Sequence, residues 1–306
     1  MLAAIDVGSN TVRMLLSSPS LKGRQPERYY QQITRLGGGY IQGKGLALES
    51  MERTLTVLRG FKDILEQGRA SHVRLVGTAA LRHAENREEF VKRVKERTGL
   101  NLEIISGWEE ARLSAAGILS VLNPLPEISL LIDIGGGSTE FILCSSEQVV
   151  FQSSYPLGVV RLSEEYAGKS ARKVAIQQML EQFDRDLKAA ELISSPAADR
   201  QLVGTAGTIT TLAALDLQMT NYDRRQINNH VLNYAWLRQT KVYLNSLSVS
   251  AREALPGIEA GRGDLILPGL EVILQLLEHF RQSHIKVADS GLLEGVMFDL
   301  AKHPSD

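Results

Sequence analysis

The sequence has a single cysteine, no excess of charge of either sign and no long apolar run. Cys144 alone can form neither an internal disulfide nor a thiolate metal cage, which excludes disulfide scaffolds and cysteine-based zinc sites. The formal net charge is -1, so no overall positive field is available to attract nucleic acid or an anionic membrane. Apolar runs are shorter than the ~20 residues of a membrane span, and residues 1–6 contain no basic leader. We therefore expect a cytoplasmic protein with neither a nucleic-acid nor a membrane partner.

What the chain does have is the composition of an ordinary folded protein. Of its 306 residues, 43% are hydrophobic and 23% charged, far from the values of disordered or fibrous chains. Because ordinary domains contain ~100 to 200 residues, this length predicts two domains, each able to bury its own core.

One short motif occurs twice. Residues 5–12 read IDVGSNTV, and residues 132–139 read IDIGGGST. In each copy an apolar strand runs into an Asp-x-Gly turn of small residues and leaves it as a second apolar strand. Small side chains expose the backbone N–H groups of such a turn, where an anion can approach closely. One copy alone would be interpreted as an ordinary hairpin, but two copies in the two halves predict a duplicated phosphate-binding element.

Helical and strand patterns alternate along the rest of the chain. Apolar spacing predicts helices over 51–65, 90–98, 171–192, 265–280 and from 291 onward, and strands at 73–76, 102–105, 201–203 and 285–288. A third small-residue loop, GTAGT at 204–208, leads into another predicted helix. Gly207 and Thr208 are candidates to bind phosphate through backbone amides there, although such loops also serve as plain strand-to-helix connections.

Three further segments carry a resemblance to a known family. They are GTAALR at 77–82, ISGWEEAR at 105–112 and DSGLLEG at 289–295. Together with the two turns, in this order and spacing, they resemble the exopolyphosphatase/guanosine pentaphosphate phosphatase (Ppx/GppA) family over essentially the whole chain. The duplicated hairpins are also similar to those of the actin, Hsp70 and sugar-kinase superfamily. The resemblance implies two ribonuclease-H-like α/β domains, residues 1–120 with 291–306 and residues 121–290, with the active site in an interdomain cleft.

Two positions depart from the family pattern. Gly38 stands where the family usually has Glu, and Leu293 where it usually has Arg. Longer relatives carry an additional helical region, and this sequence is similar to the short two-domain form without it.

The resemblance implies an acid anhydride hydrolase. The expected reaction releases orthophosphate from the end of inorganic polyphosphate, with conversion of pppGpp to ppGpp, a stringent-response reaction, as a second activity. Two alternatives stay open: an ATPase or small-molecule kinase of the superfamily, and a catalytically silent sensor of pppGpp or polyphosphate. The expected partners are accordingly polyphosphate or guanosine penta/tetraphosphate. The oligomeric state is left open, with a homodimer as one candidate.

A general base is predicted at Glu110. The pattern Ser106-x-x-Glu109 is that of a capping box, so Glu109 is expected to cap the helix that begins there. Glu110 is then available to take a proton from water, which is the role that the resemblance implies for the second Glu of this pair.

Phosphate and metal ligands are predicted around the turns. The carboxylates of Asp133 and Glu140 suit Mg²⁺ (or Mn²⁺), directly or through water. Guanidinium groups match the geometry of phosphate, which makes Arg13 and Arg82 the candidate cations. The full set of predicted phosphate-binding residues is Asp6, Gly8, Ser9, Asn10, Arg13, Arg82, Gly135, Gly136, Gly137, Ser138, Gly207 and Thr208. A basic track for a long polyphosphate is available at Arg24, Lys44, Arg224, Arg225 and Arg262.

Overall fold

A computed structural model of the protein describes residues 1–17, 28–41, 43–192, 200–258 and 261–302. The chain divides into two compact units. Unit 1 comprises Met1–Gly117 and Gly291–Asp306, and unit 2 comprises Ile118–Ser290. The chain leaves the first unit at Gly117 and returns to it at Gly291. The sequence placed the first of these boundaries at residue 120.

Unit 1 is a five-stranded sheet with helices on both faces. Its elements in chain order are β1 (Leu2–Val7), β2 (Thr11–Ser17), β3 (Arg28–Ile33), α1 (Leu48–Gln67), β4 (His72–Gly77), α2 (Ala79–His83), α3 (Arg87–Thr98), β5 (Leu102–Ile104), α4 (Gly107–Leu119, whose last two residues belong to unit 2) and, from the end of the chain, α12 (Leu292–Lys302). The strand order is β3-β2-β1-β4-β5. The first three strands are antiparallel, and β1, β4 and β5 are parallel.

Unit 2 repeats this arrangement. Its elements are β6 (Ile128–Ile134), β7 (Thr139–Ser145), β8 (Gln148–Tyr155), α5 (Val159–Glu165), α6 (Gly168–Ala189), β9 (Gln201–Thr205), α7 (Gly207–Asp216), α8 (Arg224–Ile227), β10 (Val231–Asn233), α9 (Tyr234–Ser246), α10 (Val249–Glu253), α11 (Ile266–His279) and β11 (His284–Val287). The strand order is β10-β11-β9-β6-β7-β8. Without the edge strand β10 and starting from the other edge, this order is β8-β7-β6-β9-β11. Its strand directions match those of β3-β2-β1-β4-β5 in unit 1, which confirms the predicted pair of ribonuclease-H-like α/β domains.

The central strand of unit 1 is buried on both faces, as expected for a strand covered by helices on either side. Ala3, Ile5 and Val7 pack into a cluster with α1 and α3, while Leu2 and Ala4 face a second cluster that contains α12 residues. The final helix therefore packs on the first unit. A Cβ on Gly295 would lie 1.8 Å from the carbonyl oxygen of Leu113, so α12 crosses α4 with backbone against backbone.

Unit 2 has one continuous core around β6 and β7. Its free cysteine, Cys144, lies within β7 and is fully buried. Within the described ranges of the chain, no helix combines the length and apolar character needed to cross a membrane.

Gly60 offers a simple test of the helix assignment. It lies in the interior of α1, is exposed, and has nothing within 4 Å of the position that a Cβ would take. Alanine there loses less backbone entropy on folding, so Gly60→Ala should raise the free energy of unfolding by ~0.5–1 kcal/mol. Urea denaturation measures this. An unchanged or lower midpoint would mean that residue 60 is not in a regular helix.

Candidate functional site

The first Asp-x-Gly turn joins β1 to β2. The Gly8 amide donates to the carbonyl of Thr11 at 3.0 Å, which closes the turn, and Ser9 and Asn10 at its tip are exposed. The carbonyls of these two tip residues accept amides from the loop that follows β3. Gly37 donates to Ser9 at 2.8 Å, and Thr34 and Arg35 both donate to Asn10 at 2.9 Å.

Asp6 and Arg13 form an ion pair beneath this turn. They lie opposite each other on β1 and β2, and Oδ2 of Asp6 accepts from both Nε and Nη2 of Arg13. Burial alone would lower the pKa of the Arg13 guanidinium, but the Asp6 carboxylate reverses this and the net shift of the pKa is upward. Arg13 is therefore a permanent cation. Asp6 is only 2% exposed, and its Oδ1 has no hydrogen-bond partner among the described residues.

Arg82 and Glu110 are brought together in unit 1. Nη1 of Arg82, on α2, lies 2.6 Å from Oε2 of Glu110 on α4 and also donates to the carbonyl of Ile105 at 3.2 Å. The two residues are distant in sequence, but α2 and α4 follow the neighbouring parallel strands β4 and β5. Carboxyl ends of parallel strands share one edge of a sheet, so both helices begin there. The result is a carboxylate and a guanidinium in direct contact.

The expected capping box is half correct. Oγ of Ser106 accepts the Glu109 amide at 3.1 Å, so Ser106 caps α4. The Glu109 carboxylate is not the reciprocal cap, because it binds Arg112 at 2.7 and 2.8 Å and Arg74 at 3.4 Å. Asp299 completes this ionic network through Arg74 at 2.6 Å and Arg112 at 2.9 Å. The local sequence pattern favoured a cap by Glu109. Instead, Arg74 and Arg112 bind the Glu109 carboxylate, and these ion pairs fix the start of α4.

The second turn joins β6 to β7 in unit 2. The Gly135 amide donates to the carbonyl of Ser138 at 3.0 Å, and Gly136 and Gly137 at the tip are exposed. Asp133 and Glu140 lie opposite each other in the strand pair. Oε1 of Glu140 accepts from the hydroxyls of Ser138 at 2.5 Å and of Ser154 at 2.7 Å. Ser154 was not among the predicted residues because it belongs to β8, and only the β7–β8 register places it beside Glu140.

The carboxylates of this turn suit a weakly coordinated divalent ion. In the described portion of the chain, no group of three or more His, Cys, Asp or Glu side chains could hold a metal. A closed zinc-type site is therefore not formed there. Mg²⁺ commonly binds one or two carboxylates and completes its shell with water and substrate phosphates, and Asp133 with Glu140 fits this requirement.

The third loop places Gly207 and Thr208 at the start of α7. The Thr208 side chain is buried against Gly269, so its backbone amide is the group left for the predicted phosphate contact. The guanidinium of Arg262 lies directly on Gly207, where a Cβ would be 1.9 Å from Nη1. Its segment is fixed by Arg252, which donates to the carbonyl of Gly263 at 3.0 Å.

Two other members of the predicted basic track form ion pairs with acidic residues of the same unit. Arg224 binds Asp289 at 3.1 Å, and Arg225 binds Asp223 at 3.2 Å. Lys44 is exposed, and Arg24 lies outside the described residues. The track thus stays a prediction, as does the expectation that the two Asp-x-Gly turns share one cleft.

Both the sequence and the fold of this chain are similar to those of known proteins. The family model described as "Ppx/GppA phosphatase family" matches residues 28–303. Exopolyphosphatase 2 of Mycobacterium tuberculosis is 31% identical over 313 residues, which covers 98% of each chain.

Solved structures agree with this assignment. The type II variant of the Aquifex aeolicus Ppx/GppA phosphatase superposes with a TM-score of 0.82 at 29% identity, covering 97% of this chain and 98% of the other. An exopolyphosphatase from Cytophaga hutchinsonii superposes with a TM-score of 0.80 at 26% identity, covering 98% and 97%. By sequence and by fold, the chain belongs to the Ppx/GppA phosphatase family.

Proposed function

We propose that this protein is an exopolyphosphatase, which releases orthophosphate from the end of inorganic polyphosphate. The observation that carries the proposal is the Glu110 carboxylate at the start of α4, in contact with Arg82 at 2.6 Å. Hydrolysis of a phosphoanhydride needs a group that accepts a proton from water and a cation for the phosphate oxygens. This pair supplies both kinds of group in a family of phosphatases, and relatives with the same fold bear the name exopolyphosphatase.

In the proposed reaction a water molecule attacks the terminal phosphorus while Glu110 accepts its proton. The new P–O bond forms to the water oxygen, and the anhydride P–O bond to the rest of the chain breaks. The leaving phosphate group takes a proton from Glu110, or from solvent while Glu110 releases its own proton to solvent, and either route returns the base to its carboxylate state. Arg82, Arg13 and the amides of both turns neutralise or bind phosphate oxygens.

Asp133 and Glu140 are the residues that would hold Mg²⁺ or Mn²⁺ in this proposal. A divalent ion there would neutralise negative charge on the phosphate oxygens. The hydroxyls of Ser138 and Ser154 orient the Glu140 carboxylate for this role through their hydrogen bonds to Oε1.

Conversion of pppGpp to ppGpp is proposed as a second activity, which would place the enzyme in the stringent response in the cytoplasm. Both substrates end in a terminal phosphoanhydride. The proposed binding groups contact phosphate and do not require a nucleobase in the substrate. Polyphosphate is the preferred substrate in this proposal because the candidate groups are the backbone amides of the turns together with Arg13 on β2 and Arg82 on α2, all of which bind phosphate.

The test is phosphate release from long-chain polyphosphate, pppGpp and ATP, measured side by side with Mg²⁺ and with EDTA. We expect the highest kcat/KM for polyphosphate and loss of turnover in EDTA. Higher activity on ATP would favour the superfamily ATPase or kinase alternative. Tight binding of polyphosphate or pppGpp without phosphate release would favour the sensor. Activity on pppGpp alone would overturn the substrate preference.

A further inference from the structure

The start of α5 lies directly on the second Asp-x-Gly turn. The amide of Val159 donates to the carbonyl of Gly135 at 3.0 Å. The amides of Val160 and Arg161 donate to the carbonyl of Gly136 at 2.9 and 3.3 Å. Two successive carbonyls of the turn are therefore bound from the side of α5.

This binding decides where the amides of the turn point. In a planar trans peptide, the carbonyl of one residue and the N–H of the next point in opposite directions. Because the carbonyls of Gly135 and Gly136 point towards α5, the N–H groups of Gly136 and Gly137 point away from it. Both glycines are exposed. Successive N–H groups directed outward from one turn are the arrangement that binds an anion.

Gly158 makes the close approach of α5 possible. A Cβ on this residue would lie 2.4 Å from the carbonyl carbon and oxygen of Gly136 and 2.5 Å from the carbonyl oxygen of Gly135. Its backbone is extended, with φ -103° and ψ 177°, a conformation that other residues adopt freely. The requirement for glycine therefore comes from space alone. Thr139 holds the preceding residue, since its buried hydroxyl donates to the carbonyl of Leu157 at 2.7 Å.

The first turn shows the same principle with different neighbours. There the carbonyls of Ser9 and Asn10 accept amides from the loop after β3, and Gly37 is one of the donors. The contact is looser, because a Cβ on Gly37 would lie 3.4 Å or more from Ser9. Both copies of the motif thus have two successive turn carbonyls bound by a segment outside the hairpin, although the bound pair lies one position earlier in unit 2. Of these two contacts, only the one in unit 2 requires glycine in the docking segment.

We propose that Gly158 is a positioning residue for the phosphate-binding turn at 135–138. By admitting α5, it holds the amides of Gly136 and Gly137 towards the phosphate oxygens of the substrate. The identity of the ligand, a phosphate chain, rests on the proposed function. The orientation of the amides rests on the contacts of α5 alone.

The test compares Gly158→Ala with Gly60→Ala, the same substitution at an exposed position of α1, which belongs to the other unit. Sodium tripolyphosphate serves as both substrate and stabilising ligand. Lost binding of the phosphate chain appears mainly in KM, so Gly158→Ala should raise KM by ~10-fold or more, with a smaller change in kcat. It should also diminish the increase in Tm that tripolyphosphate produces. Gly60→Ala should retain the wild-type KM and the full ligand-induced shift.

A milder pair of variants covers the case in which Gly158→Ala does not fold. Thr139→Val removes the hydroxyl that binds Leu157 and should raise KM by about threefold, whereas Thr139→Ser keeps the hydroxyl and should restore the wild-type KM. A folded Gly158→Ala with wild-type KM and ligand-induced shift would overturn the proposal, and so would identical KM values for the Val and Ser variants.

The same measurements separate this proposal from the proposed function. If the wild type hydrolyses neither tripolyphosphate, long-chain polyphosphate nor pppGpp but is stabilised by tripolyphosphate, and Gly158→Ala is not, the role of Gly158 stands and the hydrolase fails. If the wild type hydrolyses it and Gly158→Ala does so with unchanged KM, the hydrolase stands and the role of Gly158 fails.

Discussion

Replacing Glu110 by glutamine should lower kcat on polyphosphate by ~10²-fold or more and leave KM close to the wild-type value. The amide has the volume of the carboxylate and can still accept the hydrogen bond from Arg82, so the local structure is kept. It cannot take a proton from water. Steady-state kinetics on purified Glu110→Gln, with binding of polyphosphate measured separately, check both halves of this expectation.

Glu109→Gln is the matched control. The two glutamates are adjacent on α4, but Glu109 binds Arg112 and Arg74 and has no role in the proposed chemistry. We expect it to lower stability through the weakened ionic network and to keep kcat. If Glu110→Gln retains near-native kcat, or if Glu109→Gln loses as much as its neighbour, the base has been assigned to the wrong residue.

The second large effect is expected on the metal requirement. Asp133→Asn and Glu140→Gln each remove an anionic oxygen ligand or its support. The Mg²⁺ concentration for half-maximal activity should therefore rise by about 10- to 100-fold. Activity should recover at high Mg²⁺, because the change affects occupancy of the ion more than the chemistry. A Mg²⁺ titration of initial rates measures this directly.

Glu147→Gln is a suitable comparison on the same pair of strands. Glu147 is exposed between β7 and β8, at the opposite end of β7 from Glu140. Its removal should leave the Mg²⁺ titration unchanged. Unaltered Mg²⁺ dependence in Asp133→Asn and Glu140→Gln together would exclude these carboxylates as the site of the ion.

Most regular elements were predictable from apolar spacing and helix-stop signals. The helix that ends at Thr98 is an example, because Gly99 adopts a left-handed φ of 72° as its C-cap. The edge strand β3 was not predicted. Its residues Arg28–Ile33 are almost all exposed, so they lack the alternation of a half-buried strand. Only pairing with β2 identifies it as a strand.

The candidate site was predictable in its residues but less so in their contacts. The duplicated motif identified both turns, because an apolar strand followed by a run of small residues is a pattern that a short stretch of sequence shows by itself. The contact between Arg82 and Glu110 depends on two parallel strands lying side by side, which no local pattern reveals. Likewise, Gly158 lies in no motif and becomes meaningful only when α5 is seen against the turn.

Cys144 provides a built-in chemical reporter for the sheet that carries the second turn. Burial raises the pKa of its thiol to about 12, so the group is protonated at neutral pH and shielded from reagents. Thiolates, not thiols, are the reactive species. Alkylation at neutral pH therefore requires β7 to open, and its rate measures how often that strand separates from its neighbours. Substrate bound at the turn that precedes β7 should suppress this opening, so the alkylation rate of the native thiol reports occupancy without an introduced cysteine.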